Sequence, residues 1–206
     1  LKNNVYFLDS LLKTDDGIEY LVGSALIELV QSKDSFDLNI FFDKVSPASP
    51  RFLSKNDTYE QMKSSGALRY IKDSKLLEMM VDYTNETEGA EFRSMTQEAG
   101  FVQGDFARAL NKWIPQNIAM RAYVTNFEKQ KNQAPASDSV INLIKTIEHY
   151  KTTKPSIIKG SKLEAFKEEI IPAVTRRLRL MKTTMTNLQR AKTKGQKLLE
   201  YLDQHH

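Results

Sequence analysis

Apolar residues recur at three- and four-residue steps through most of this chain, the spacing of one helix face. Leu1, Val5, Leu8 and Leu12 form a first stripe. Asp15, Asp16 and Gly17 interrupt it, and either acid can cap a following helix that carries Ile18, Leu21, Val22, Ala25, Leu26 and Leu29. Beyond a polar break at 32–35, Phe36, Leu38, Ile40, Phe41 and Phe42 are too dense for an exposed helix. They predict a short buried helix, with a short strand as the second reading. Pro47 and Pro50 make 45–56 a loop.

The chain is organised around 57–83. Asp57 and Glu60 have the spacing of a capping box, with Asp in place of Ser or Thr. Tyr59, Met62 and Leu68 supply apolar contacts, and Gly66 offers the left-handed residue that ends a helix at little steric cost. Asp73 and Ser74 provide a second N-cap, before Leu76, Leu77, Met80, Val81 and Tyr83 at helical spacing. Arg69 is a cation among apolar neighbours, which predicts a buried or half-buried ion pair with an acid such as Glu60 or Asp73.

The longest helical run follows. A polar stretch, Thr84-Asn85-Glu86, is expected to kink or break it, and Phe92, Met95, Ala99, Val102, Phe106, Leu110 and Trp113 continue the stripe. Gly100 and Gly104 are read as points of close helix packing. Pro115 ends the run. A short amphipathic helix within 116–127, a loop over 129–136 and a helix capped by Ser137 or Asp138 and carrying Val140 to Ile147 are expected next. Ser161 and Glu164 spell a full capping box. Pro172 lies in the first turn of a final helix or kinks a continuous one. That helix carries a heptad through Val174, Leu178, Met181, Met185, Leu188, Gly195, Leu199 and Leu202, with Lys192 as its polar exception.

The stretch TYEQMKSSGALRYIKDSKLLEMMVDY resembles the central signature of an uncharacterised family of small bacterial envelope proteins. In that family a Tyr-containing helix runs into Ser-Gly-x-Leu-Arg, an Ile-Lys-Asn/Asp cap follows, and a further helix ends in a Tyr pair. The second Tyr of the pair is Thr84 in this chain. Members carry a membrane-spanning helix just upstream of a helix like that of residues 1–13. The resemblance therefore implies a membrane-tethered extracytoplasmic helical domain, with another envelope protein or a second copy as partner, and it brings no assigned activity.

Composition narrows the picture. Two hundred and six residues suit one domain that buries about 70% of its unfolded surface. Apolar content of 40% and charged content of 27% describe a globular chain, and few Gly and Pro favour long helices. The longest uncharged stretch near the start, 20–27, is far short of the ~20 residues a membrane span needs. A chain beginning at Leu1 without Met is read as a fragment whose missing upstream part holds the anchor. With no Cys, disulfide and thiol chemistry are excluded.

Charge is uneven. Residues 151–206 hold 13 Lys/Arg and 5 Asp/Glu, while the whole chain is only +4. Arg176, Arg177, Arg179, Lys182, Arg190, Lys192, Lys194 and Lys197 make the last helix basic. Without interleaved aromatic residues this face supports neither base stacking nor specific nucleic-acid readout, so a solvated face or pairing with the acidic N-terminal part is expected, ahead of contact with an anionic membrane surface or non-specific nucleic acid. His149, His205 and His206 have no metal-ligand spacing, and no phosphate loop, nucleophile elbow or Glu-x-x-His repeat occurs. No catalytic residue, metal or cofactor is expected.

The sequence thus predicts an all-α single domain, a bundle of about four long helices with shorter helices and loops, in a non-enzymatic structural, protein-interaction or sensory role. One alternative is a small-molecule-sensing bundle whose site draws on Tyr59, Arg69, Tyr70, Tyr83 and Trp113. Another is a cytosolic bundle that binds nucleic acid or a partner through the basic helix.

Overall fold

A computed structural model describes residues 1–45, 51–115 and 155–205. The helices expected within 116–150, and His149 and His206, lie outside the described residues. The fold is all-α. The described residues contain three long helical stretches: α1 (Lys2–Gln31), a rod over 74–111, and α7 (Ser161–His205). The rod comprises α4 (Ser74–Phe92), α5 (Ala99–Phe101) and α6 (Ala107–Asn111), joined by π-helical turns at Arg93–Glu98 and Val102–Phe106. Short elements complete it: β1 (Ser35–Asp37), α2 (Leu38–Lys44), α3 (Asp57–Ser64), a 3₁₀ turn (Ala67–Tyr70) and β2 (Ile157–Lys159).

α1 and the rod run parallel, and α7 runs antiparallel to both. Val22, Ala25 and Leu29 meet Val102, Phe106 and Leu110 of the rod and Leu163, Phe166, Ile170 and Val174 of α7 in the largest core cluster. Leu8 and Leu11 meet Ala90, Leu188 and Ala191 further along. Tyr83, Leu76 and Leu198 close the far end. Burying one such side chain contributes about 1.5–3 kcal/mol, so these layers dominate the fold's stability.

Parallel neighbours require a return crossover, and 32–73 supplies it. Phe36 and Phe41 fold onto Phe166 at one end of the bundle. The expected buried helix over 36–42 is in fact a strand followed by a helix. Asp37 ends β1 and caps α2 by accepting from the Asn39 N–H at 2.9 Å. β1 pairs antiparallel with β2, Phe36 opposite Ile158. Residues 51–56 then run back along the rod as a strap. Phe52 N–H donates to Ser94 Oγ at 2.9 Å, Ser54 N–H to Glu91 Oε2 at 3.0 Å, and Asn56 Nδ2 to Thr87 Oγ1 at 3.0 Å.

Gly66 has φ 73° and separates α3 from the 3₁₀ turn, and Asp73 caps α4 by accepting from the Leu76 N–H at 3.0 Å. Asp57, however, lies inside α3. Asn56 occupies the cap position and spends its amide on Thr87, so the capping box does not form. Ser161 is likewise the first residue of α7, and the Gly160 carbonyl accepts the first helical bonds from Leu163 and Glu164.

Four expectations fail for one reason: polar side chains occupy core positions. Asp15–Gly17 does not break α1, because Asp15 is itself buried in a seam of Asn4, Leu8, Leu11, Asp15, Val22, Ala25 and Leu29. Thr84 does not break α4, because Thr84 and Thr87 face inward and return their hydroxyls to the Met80 and Thr84 carbonyls. The inner face of the rod holds Ala90, Ser94 and Glu98, leaving Phe92 exposed. In α7 the inner residues are Val174, Arg177, Met181, Thr184, Leu188, Ala191, Gly195 and Leu198, so every second seam position lies one residue before the expected one. Pro172 stands inside continuous α7. Among the described residues nothing stands within 4 Å of where a side chain at Gly100 or Gly104 would sit, so neither is a point of close packing there.

Candidate functional site

Two places in the bundle carry chemistry beyond packing. The first is a partly open cavity of about 380 Å³ at the end where α1 and the rod begin and α7 finishes. Its walls include Leu76, Met80 and Tyr83 from α4, Leu198 and Leu202 from α7, Asn4 from α1 and Leu1 just before that helix. The arm 55–71 covers it with Tyr59, Met62 and Ile71. The walls are mostly apolar, and the methionines give them adaptable surfaces. α3 buries none of its own side chains, so this cover is the wall least tied to the bundle.

Tyr83 is the polar feature of the cavity. It is 6% exposed, and among the described residues its hydroxyl has no partner within hydrogen-bond distance, the Asn4 amide being its polar neighbour. Burial raises its pKa above the ordinary tyrosine value, with the adjacent Asn4 amide acting in the opposite sense. Asn4 Nδ2 donates to the Lys55 carbonyl at 3.4 Å, tying the strap to α1 at the cavity rim. Tyr201 closes the bundle end by donating to Asp73 Oδ2 at 2.9 Å.

The structure brings only part of the expected constellation together. Tyr59 and Tyr83 line the cavity. Arg69 and Tyr70 are exposed on the 3₁₀ turn, where Arg69 Nη2 donates to the Tyr70 hydroxyl at 2.9 Å and the guanidinium lies 4.9 Å from that ring's centre. The expected ion pair of Arg69 with Glu60 or Asp73 is thus replaced by a contact with its neighbour. Trp113 is at the opposite end of the rod. There it packs edge-on to Phe166, and its Nε1 donates to Glu169 Oε2 at 2.9 Å. Lys112 and Trp113 hold the Glu169 carboxyl below its usual value. Asn4, Leu198 and Leu202 belong to the cavity but not to the expected set, because only the fold brings both chain ends to this arm.

The basic face is also divided. Arg179, Lys182, Arg190 and Lys197 are exposed. Arg176 pairs with Asp105 at 3.6 Å and lies over Phe101. Lys192 pairs with Asp9 at 2.6 Å, and Lys194 with Asp82. Arg177 is not on this face at all: it is 0% exposed, inside the bundle.

Arg177 marks the second place. Asp15 from α1, 2% exposed, and Glu98 from the first π turn, 1% exposed, share its layer between the two main core clusters. Arg177 also lies 4.9 Å from the centre of the Phe106 ring. Burial lowers its pKa to about 10, against the opposing pull of Glu98 and Asp15. Burial first, and the charge of Glu98 second, push the Asp15 carboxyl up to about 7.

Among the described residues no cluster of His, Cys, Asp and Glu could hold a metal ion, and no helix is long and apolar enough to cross a membrane. No protein-family model, curated protein or solved structure matches the chain.

Proposed function

We propose that this chain is a non-enzymatic helical sensor whose end cavity binds a small, mainly apolar molecule bearing one hydrogen-bonding group. The observation that carries this reading is the cavity together with the unpartnered hydroxyl of buried Tyr83 in its wall. Protein interiors are close-packed, and a buried hydroxyl without a partner is costly; a ligand supplying both volume and an acceptor relieves the two defects at once. Arg69 lies outside the cavity and pairs with Tyr70, so it supplies no charge to the site, whose lining is mostly apolar. On the resemblance of the central stretch, the domain is extracytoplasmic and held to the membrane by an upstream anchor. No specific nucleic acid belongs to this reading.

A thermal-shift series with neutral phenols, medium-chain alcohols and ketones tests it. A binder of the native state stabilises by about 2.7 kcal/mol at a hundred times its Kd. Met80→Trp, which fills the cavity, should abolish the shift, and Tyr83→Phe should weaken binding while leaving the fold intact. No shift with any of these compounds at millimolar concentration refutes the sensor.

A protein-interaction role has its own support. Tyr6 and Tyr20 are 78% and 76% exposed on α1, with Ile27 and Val30 also outward. Tyr20→Glu with Ile27→Glu should abolish any partner binding or self-association measured by sedimentation. A complex that survives both changes excludes this face as its interface.

A further inference from the structure

We propose that the Asp15–Glu98–Arg177 layer is a proton-held joint: the folded bundle keeps one proton on its two carboxylates, and losing it loosens the helices at this layer. Two carboxylates and one guanidinium lie in a layer none of whose members is more than 2% exposed. Fully ionised, these three side chains sum to one negative charge, and excess buried charge is strongly disfavoured. Holding one proton makes the layer neutral.

Position selects the group that holds it. The charged groups facing Asp15 are Asp16 and Glu19 of its own helix, Glu98 of the rod and Arg177 of α7. Three of the four are acids. Among the described residues Asp15 Oδ1 is also buried without a hydrogen-bond partner. Deprotonated Asp15 therefore meets more repulsion than attraction, in agreement with its raised pKa.

The backbone supplies the movement. Glu98 ends the first π turn, and a second begins at Val102. π turns are rare, short departures from the α-helix, frequently found at functional sites. When the proton leaves, the rod can relieve the layer by opening one of these turns, while the apolar clusters on either side keep the bundle assembled. The sign follows from linkage. The folded state binds this proton more tightly than the unfolded chain, so stability is full below the unfolded Asp value near 4 and falls as pH rises toward 7.

The test is urea denaturation of the wild type, Asp15→Asn and Glu98→Gln from pH 5 to 8.5, with carbon NMR of the Asp carboxyls. In the wild type the folding constant should fall by up to about tenfold per pH unit below the carboxyl's titration and level off above it. Asp15→Asn, which keeps the shape and removes the charge, should flatten that dependence and be at least about tenfold more folded than wild type at pH 8. Amide exchange, corrected for its intrinsic pH dependence, should accelerate at residues 12–18 and 93–106 in the wild type alone. Identical pH profiles for wild type and Asp15→Asn, an Asp15 carboxyl titrating near 4, or acceleration spread evenly over the bundle each overturn the proposal. If Asp15→Asn does not fold, the wild-type carboxyl titration decides alone: near 7 supports the joint, near 4 refutes it.

Discussion

Gly195→Ala and Gly89→Ala should change stability in opposite directions. Both glycines lie inside long helices, where replacing Gly by Ala is worth about 1 kcal/mol in propensity. At Gly89 a new Cβ meets nothing within 4 Å, so the variant should gain about 0.5–1 kcal/mol. At Gly195 the same atom would stand 2.7 Å from Val5 Cγ2 and 2.9 Å from Tyr83 Cε2. Neither neighbour is the loose end of a flexible chain. Val5 is β-branched and has one favoured rotamer in a helix, and the Tyr83 ring is buried between helices. Overpacking of this kind costs about 1–3 kcal/mol. The balance at Gly195 is therefore a net loss of roughly 1 kcal/mol, after the propensity gain is set against the clash. Urea denaturation at pH 6 reads both, with midpoint shifts of roughly 0.3–1 M in opposite senses and unchanged m. A stabilised Gly195→Ala would show that α1, α4 and α7 do not converge on this glycine, and the helix register described here would be wrong.

Arg177→Met should cost about 3–5 kcal/mol at pH 8, where it removes the cation facing two buried carboxylates, and distinctly less at pH 5, where Asp15 holds a proton; denaturation at the two pH values checks this. Gly66→Val should cost about 1–2 kcal/mol, because a β-branched residue is strained at φ 73°, while circular dichroism shows unchanged helix content.

The sequence exposes the helices far better than the faces they bury. Gly66 and Asp73 are legible because each acts within its own turn: a positive φ and an N-cap depend on local chemistry. The seam of α7 is not, because Arg177 and Thr184 stand at inner positions and the half-buried Leu178 and Met185 stand beside them. Sliding a stripe by one residue turns it by about 100°, and apolar residues alone cannot set the register when alternate layers are polar. Asp15 looks like a helix break for the same reason, although Leu11 one turn before it and Val22 two turns after it are core. Half of the candidate site was visible. Tyr59 and Tyr83 belong to elements adjacent in sequence, whereas Asn4 and Leu198 join them only through tertiary packing. Arg69 is a cation in an apolar stretch, yet it and Tyr70 satisfy each other at the surface.

The parallel course of α1 and the rod has a kinetic consequence. In an up-and-down bundle each helix finds its partner across a short loop. Here the contacts that fix the assembly are remote: Lys192 reaches Asp9 across 183 positions, and the Lys167 amine donates to the Ser32 carbonyl across 135. β1 waits for β2 near the far side of the chain. Closing loops of this length uses up entropy before the contacts repay it, and folding rates fall as mean sequence separation grows. This all-helical protein should fold on a timescale closer to that of mixed α/β domains, with its helices forming early and waiting on α7 to bring the two ends of the chain together.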